Sequence, residues 1–128
     1  KSYKYTLLDV AEDEMKKACD KDATTTCFVE GDKVIIDLGR ERTITSFHYL
    51  PDQSEYNKGL ISGYEIAVGI DANAINTVVK QGEFSNIKHN PILQSVYFTP
   101  INARYISLKP TKMINEGEQM GFGEIAIR

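Results

Sequence analysis

The chain has 128 residues, of which 41% are hydrophobic and 26% are charged, with a formal net charge of −3. This is the composition of an ordinary globular domain, and the length is enough for one hydrophobic core. Lys and Arg are scattered, and no zinc-finger spacing, Walker loop or RNP-like aromatic run occurs, so no nucleic-acid partner is expected. The short apolar runs and the net negative charge likewise argue against a membrane partner.

The predicted elements are short strands with one short helix. The helix is predicted over residues 12–18, where acidic residues come first and Lys16 and Lys17 follow, the order that suits a helix dipole. Period-two alternation and turn residues predict about eight or nine strands. The strand candidates are residues 3–8, 33–38, 44–50, 64–70, 77–81, 96–98, 106–108 and 125–127. This pattern predicts an all-β antiparallel sandwich or barrel in a single domain, residues 1–128. Because the sequence has no initiator Met, we expect the domain to be part of a longer chain.

An acidic loop follows the predicted helix, with Asp20 and Asp22 one residue apart and Thr25 three residues later. Carboxylate, hydroxyl and carbonyl oxygens suit calcium, which accepts roughly 6 to 8 oxygen ligands in loose geometry. The spacing is not that of an EF-hand, whose loop requires Gly and Glu at positions where this chain has Thr25 and Gly31. The structural alternative is a turn, in which Asp and Thr side chains bond nearby backbone groups.

Cys19 and Cys27 flank the acidic loop, and buried thiols are favoured over a disulfide because disulfide geometry is narrow. The two histidines, His48 and His89, form no zinc-ligand set with them. His48 alternates with aromatic residues on a predicted strand and is expected at the surface. No nucleophile with a base, phosphate loop or open metal site can be assembled, so the domain is predicted to be non-catalytic.

Two loops are candidates for ligand binding. The first contributes Gln53, Tyr56, Asn57 and Lys58, a mixture of aromatic, amide and charged groups that can stack on a sugar ring and bond its hydroxyls. The second loop contributes His89 and Asn90. The structural alternative is that both segments are ordinary surface turns without a ligand, since Asn and Gly form turns and exposed charges are common.

Several short motifs, in a specific order along nearly the whole chain, resemble the discoidin-like family, also called the coagulation factor 5/8 type C domain. They are Ala18-x-Asp20-x-Asp22-x-x-Thr25, Ile36-Asp37-Leu38-Gly39, Asn57-x-Gly59-x-Ile61, Tyr64-Glu65-Ile66, Ala103-Arg104-Tyr105-Ile106 and Gly123-Glu124-Ile125. The resemblance implies an eight-stranded galactose-binding-like jelly roll with a structural calcium ion. The ion's implied ligands are Ala18, Asp20, Asp22, Thr25 and Glu124.

Bacterial members of this family are often sugar-binding modules attached to glycoside hydrolases. Residues 82–94 are similar to C-terminal modules of α-fucosidases and hexosaminidases. The resemblance therefore implies a glycan ligand, a parent glycoside hydrolase catalytic domain as partner, and a secreted, periplasmic or cell-surface location in a bacterium.

The chain departs from the family pattern at Cys27, where family members usually carry Trp, and it contains no Trp at all. Phe28 can fill part of that volume. This departure keeps open a second function, a structural or protein-interaction module that packs on the catalytic domain without binding sugar. An apolar patch on a sheet face, rather than at the loop end, would favour that alternative.

Overall fold

The computed structural model of this chain describes residues 2–19 and 25–128. It is an antiparallel β-sandwich with one small helix, as the alternating patterns predict. The described elements are β1 (Thr6–Leu7), α1 (Glu12–Lys16), β2 (Cys27–Val29), β3 (Val34–Leu50), β4 (Ile61–Gly69), β5 (Thr77–Glu83), β6 (Gln94–Met113), β7 (Met120–Phe122) and β8 (Glu124–Ile127).

The two long strands, β3 and β6, connect the layers of the sandwich. The main sheet has the order β1-β3-β6-β4-β5, and β8 pairs with β3 separately from that path. The first half of β3 pairs with β1 and with the second half of β6, whereas its second half pairs with β8 and with the first half of β6. Register shifts near the middle of β3 allow the strand to bend between its two halves. Strands β2 and β7 form a small separate ladder.

The core lies between these layers, and the register shift in β3 decides which of its residues enter it. In the first half of β3 the buried residues are Val34, Ile36 and Leu38, whereas in the second half Phe47 and Tyr49 fill the core. The change from even to odd positions follows the irregularity between residues 44 and 46. Around Tyr49 the core is aromatic, because its ring packs against those of Phe84 and Phe122.

The predicted all-β class is confirmed, but several boundaries differ. The predicted strands 33–38 and 44–50 merge into the single strand β3, which begins at Val34, and the predicted strands 96–98 and 106–108 merge into the single strand β6. The turn-forming residues between them lie at bulges and not at strand ends. Strands β2 and β7 were not predicted. Each has three residues and pairs only with the other, so the alternation is too short to detect.

Cys27 is buried, but Cys19 is exposed, so the expectation of two buried thiols is wrong for Cys19. Burial, with Glu14 nearby, raises the pKa of the Cys27 thiol to about 12.

Across the part of the chain that the structure describes, no helix is long and apolar enough to cross a bilayer.

Candidate ligand-binding loops and cation site

Asp52 organises the first candidate ligand loop, residues 52–58. Its side chain is 2% exposed, and one carboxylate oxygen accepts hydrogen bonds from the Thr26 hydroxyl at 2.8 Å and the Ser54 N–H at 2.9 Å. The other oxygen accepts from the Ser54 hydroxyl at 2.8 Å and the Lys58 N–H at 2.9 Å. Burial alone would raise the pKa of Asp52, but these hydrogen bonds outweigh burial and hold it below its ordinary value. A buried anion with four donors fixes the backbone of the loop.

Two of the predicted ligand residues also help to build this loop. Gln53 Nε2 donates to the carbonyls of Pro51 at 3.0 Å and Pro91 at 2.7 Å, so both of its amide hydrogens are used. Asn57 has a left-handed backbone, with φ of 45°, and its Nδ2 donates to the Asp52 carbonyl at 2.7 Å. Among the described residues, the hydrogen bonds of both side chains thus use the amide nitrogens and not the amide oxygens.

Tyr56 is the exposed aromatic side chain of the loop, and Gln53, Glu55 and Lys58 are exposed beside it. The Tyr56 side chain is 73% exposed, the largest exposure among the big hydrophobic residues of the described chain. Just after it, Gly59 lies against the segment that enters β7, with its carbonyl accepting from the Gly121 N–H at 3.0 Å and its N–H donating to Glu118 at 3.0 Å. Tyr56 therefore stands out from a loop that is anchored at both ends.

The second candidate loop lies beside the first. The bond from Gln53 to the Pro91 carbonyl joins the two loops, and His89 and Asn90 directly precede that proline. Both side chains are exposed, and the Asn90 N–H donates to the Asn86 carbonyl at 2.9 Å in a tight turn. The structure thus brings the two predicted ligand loops to the same end of the sandwich.

The described members of the predicted calcium set also lie together. The Ile125 N–H donates to the Ala18 carbonyl at 2.8 Å, which places Ala18 beside the strand that begins at Glu124. Thr25 Oγ1 lies 3.5 Å from the carbonyl of Lys17. Asp20 and Asp22 fall outside the described residues. Ala18, Thr25 and Glu124 supply a carbonyl, a hydroxyl and a carboxylate, which are the oxygen donors that suit calcium.

Tyr5 is a further residue of this region that sequence analysis missed. Its hydroxyl lies 2.7 Å from the carbonyl of Ile125 and 3.1 Å from that of Ala18, so it bridges β8 and the start of the acidic loop. Burial, reinforced by Cys19 and Glu124, raises the pKa of Tyr5 well above its ordinary value. The hydroxyl therefore remains a hydrogen-bond donor at all moderate pH values.

His48 is buried, which corrects the expectation that it lies at the surface. It does point away from Phe47 and Tyr49, but its ring is held between Ser46 Oγ and Ser95 Oγ, each 2.8 Å from a ring nitrogen. Burial, together with Arg128, lowers the pKa of His48. The ring forms part of the floor of an open groove of about 1300 Å³ on the outer face of the β8, β3 and β6 ladder, lined also by Tyr97 and Leu93.

The comparison with protein families decides the assignment. The family model described as "F5/8 type C domain" matches residues 11–126. The chain belongs to the F5/8 type C family. No curated protein matches it significantly.

Solved structures of bacterial carbohydrate-binding modules share the fold. A Clostridium perfringens family 32 module in complex with GalNAc-β-1,3-galactose has a TM-score of 0.77 and 20% identity, covering 97% of this chain and 93% of that chain. The family 32 module of C. perfringens NanJ in complex with galactose has a TM-score of 0.73 and 22% identity, covering 97% and 91%. These likenesses confirm the galactose-binding-like jelly roll predicted for this F5/8 type C domain.

A more similar sequence belongs to a much longer protein. A glycoside hydrolase 29 family member from an unknown rumen bacterium is 32% identical, with a TM-score of 0.71, over 80% of this chain and 18% of that chain. This F5/8 type C domain therefore resembles one part of that enzyme.

Proposed function

We propose that this domain is a non-catalytic carbohydrate-binding module of a secreted bacterial glycoside hydrolase, of the α-fucosidase or hexosaminidase type. Its ligands are terminal galactose-, N-acetylgalactosamine- or fucose-type residues of glycans, bound at the loop end that carries residues 52–58 and 89–90. The observation that carries the proposal is the exposed Tyr56 ring on a loop fixed by the buried Asp52. Family membership and the sugar-bound modules of the same fold support it.

The loop has the chemistry for weak, selective sugar binding. The Tyr56 ring offers a platform for the apolar face of a pyranose, and the amide oxygens of Gln53 and Asn57 accept hydrogen bonds from its hydroxyls. Because the Asp52 network orders the loop before binding, little entropy is lost when the ligand arrives. One shallow site with one aromatic contact corresponds to about −4 to −6 kcal/mol, or millimolar to tens of micromolar Kd. Linkage to a catalytic domain would raise the effective affinity at a glycan surface.

We expect Tyr56→Ala to weaken sugar binding about tenfold without lowering the melting temperature, because the side chain contributes to ligand contact and not to the core. Isothermal titration against galactose, N-acetylgalactosamine and fucose measures the change. Tyr56→Phe keeps the ring and should retain most of the affinity. Ile70→Ala removes another exposed side chain (66% exposed), which follows the end of β4 whereas residues 52–58 precede its start, and should leave binding unchanged. Equal affinity for wild type and Tyr56→Ala would contradict the assignment of this loop.

The second part of the proposal is a structural calcium site formed by Ala18, Asp20, Asp22, Thr25 and Glu124. The contact of Ile125 with Ala18 supports it, since it brings the acidic loop to the strand that begins at Glu124. The Ala18 carbonyl accepts from the Ile125 N–H and, at the longer distance of 3.1 Å, from the Tyr5 hydroxyl, so a cation bound to this carbonyl would replace the Tyr5 contact, and Tyr5 would keep its shorter bond to Ile125. A bound calcium ion would neutralise the clustered carboxylates and connect the loop to β8.

Calcium is expected to raise the free energy of unfolding by about 2.7 kcal/mol at a concentration about 100 times its Kd. Thermal unfolding with added calcium and with a chelator measures this difference. Glu124→Gln should remove most of the calcium-dependent shift, whereas Glu116→Gln, an exposed carboxylate in another loop, should preserve it. An identical melting temperature in calcium and in chelator would contradict the site.

A second candidate function is a structural module that packs on the catalytic domain of the parent enzyme without binding sugar. The groove on the outer sheet face favours it, because Leu93 and Tyr97 at its rim are apolar and exposed. Co-purification of the separately expressed catalytic domain with this module, with no sugar binding by the module, would favour the second function over the first.

A further inference from the structure

The segment from Pro91 to Ala103 contains no charged residue in a chain that is 26% charged. It includes the first half of β6. Three of its large apolar side chains are exposed, Ile92 at 54%, Leu93 at 51% and Tyr97 at 64%. Natural sheets protect open edges with charges, especially Lys, because an unprotected edge pairs with other chains. This segment lacks that protection.

The first half of β6 forms an open sheet edge. Residues 94–97 pair with β3 on one side. Strand β4 pairs with β6 only from Tyr105 onward, and within residues 2–19 and 25–128 no strand pairs with the other side of residues 94–97. Pro91 and Pro100, which carry no N–H, lie at the two ends of this edge.

The ladder shows which backbone groups point outward along this edge. Ser46 exchanges hydrogen bonds with Arg128, the residue that follows β8, at 2.9 and 3.1 Å, so the even residues of β3 bond toward β8. The odd residues, Phe47 and Tyr49, therefore bond toward β6, to Val96 and Gln94. The N–H and C=O groups of the alternate residues, Ser95 and Tyr97, consequently point to the open side.

We propose that this edge pairs with the same edge of a second copy of the chain, as an antiparallel two-fold dimer centred on Ser95. A two-fold axis perpendicular to the sheet makes the two edge strands antiparallel and keeps their faces matched. Centring the pair on Ser95 sets Leu93 of each copy opposite Tyr97 of the other, next to the outward backbone groups of Ser95 and Tyr97. Apolar cross-strand pairs of this kind stabilise antiparallel strands.

The charge pattern favours a second copy as the occupant. An uncharged strand pairs with itself without like-charge repulsion, whereas a strand that carried Lys or Glu would place equal charges near the axis. The edge strand at the other end of the main sheet, β5, carries Lys80 and Glu83 and also exposes Val78. The charges of β5 protect it against pairing with another chain, whereas the first half of β6 carries no such charge.

The dimer would place the two sets of ligand loops at opposite ends of the paired strands. In each copy Gln53 bonds Pro91, so residues 52–58 lie at the start of the edge. Because the paired strands run in opposite directions, the starts of the two edges lie apart. Such an arrangement makes the module bivalent. The dimer itself does not depend on sugar binding, and its test contains no sugar.

Sedimentation equilibrium over a range of protein concentrations tests the proposal. We expect the mass to rise from 14.4 kDa toward twice that value. Leu93→Lys should raise the dimer dissociation constant at least tenfold, while Val78→Lys, the matched control on β5, should leave it unchanged. A protein that stays monomeric at every concentration would overturn the proposal. Binding of a separate catalytic domain to this edge by a monomeric module would overturn it as well. Equal weakening by both variants would also overturn it.

Cross-linking tests the register and does not depend on a destabilising variant. In a Cys19→Ser background, Ser95→Cys places two thiols on opposite sides of the axis, within the Cα separation of about 4.4–6.8 Å that a disulfide needs. Mild oxidation should yield a covalent dimer from Ser95→Cys and little from Val78→Cys. Equal yields from the two variants would contradict the Ser95-centred pairing.

Discussion

Asp52→Asn is expected to destabilise the domain by about 3 kcal/mol and to abolish measurable sugar binding. The carboxylate accepts four hydrogen bonds, from Thr26, Lys58 and twice from Ser54. An asparagine amide offers one oxygen, and its NH₂ group would face donors where the second oxygen now accepts. Hydrogen bonds to a charged group contribute about 1.5–3 kcal/mol each, and a buried donor left without an acceptor costs about 1–3 kcal/mol.

The same network predicts a pH dependence. The hydrogen bonds hold the pKa of Asp52 below its ordinary value of about 3.9, so the carboxylate is stabilised in the folded state. Its contribution to stability is fully present above the unfolded-state pKa and is lost as the pH falls through the lower folded-state pKa. The free energy of unfolding of the wild type should therefore fall below about pH 4 more steeply than that of Asp52→Asn.

Urea unfolding at several pH values measures both effects. Asp71→Asn is the matched control, because the Asp71 carboxylate accepts a single exposed hydrogen bond, from the Asn73 N–H at 2.9 Å. We expect that variant to change stability by less than about 0.5 kcal/mol. A similar loss of stability in Asp52→Asn and Asp71→Asn would mean that the buried network does not stabilise the loop.

Gly59→Ala is expected to have a comparably large effect, for a steric reason. A Cβ at Gly59 would lie 2.3 Å from the Gly121 nitrogen and 2.4 Å from the Gln119 carbonyl oxygen, and both are backbone atoms that cannot rotate away. The backbone φ of +71° adds the cost of a left-handed conformation, about 1–2 kcal/mol for a residue with a side chain. The loop and the start of β7 would have to separate, so a loss of about 4 kcal/mol is expected.

Gly117→Ala separates the two causes. Gly117 has a similar φ of +85°, but a Cβ there meets nothing within 4 Å, so this variant should lose only about 1 kcal/mol. Thermal unfolding of the two variants side by side gives the comparison. Equal losses would show that close packing of residues 59 and 121 does not matter, and would remove the reason for a rigid loop end.

The fold was predictable from local patterns, and the strand boundaries were not. Alternation at residues 125–127 identified β8, which has one buried face, and alternation of large apolar residues at 64–70 identified β4, although β4 is buried on both faces. The same rule failed between residues 38 and 47, where a register shift moves the buried positions from even to odd. A bulge depends on the partner strand, so the sequence of one strand does not determine it.

The site was predictable only in part. The mixture of aromatic, amide and charged groups indicated the loop of Tyr56 and Asn57 as a candidate, and the structure brings this loop together with His89 and Asn90. Asp52 was missed because its importance depends on burial and on donors from Thr26 and Lys58, which become neighbours only in the folded chain. His48 was misjudged for a related reason, since Ser95 and Tyr97 of another strand cover it. Tyr5 could not be identified either, because its hydrogen-bond partner, Ile125, is 120 residues away in the sequence.

The most direct test of the central claim, that the Asp52-ordered loop end is a sugar site, is an NMR titration of the ¹⁵N-labelled domain with galactose, N-acetylgalactosamine and fucose. We predict that at least one sugar gives saturable shifts and that the largest occur at the amides of residues 53–58 and 89–90. Shifts confined to the outer face of β3, β6 and β8, or no shifts with any of the three sugars, would contradict the account.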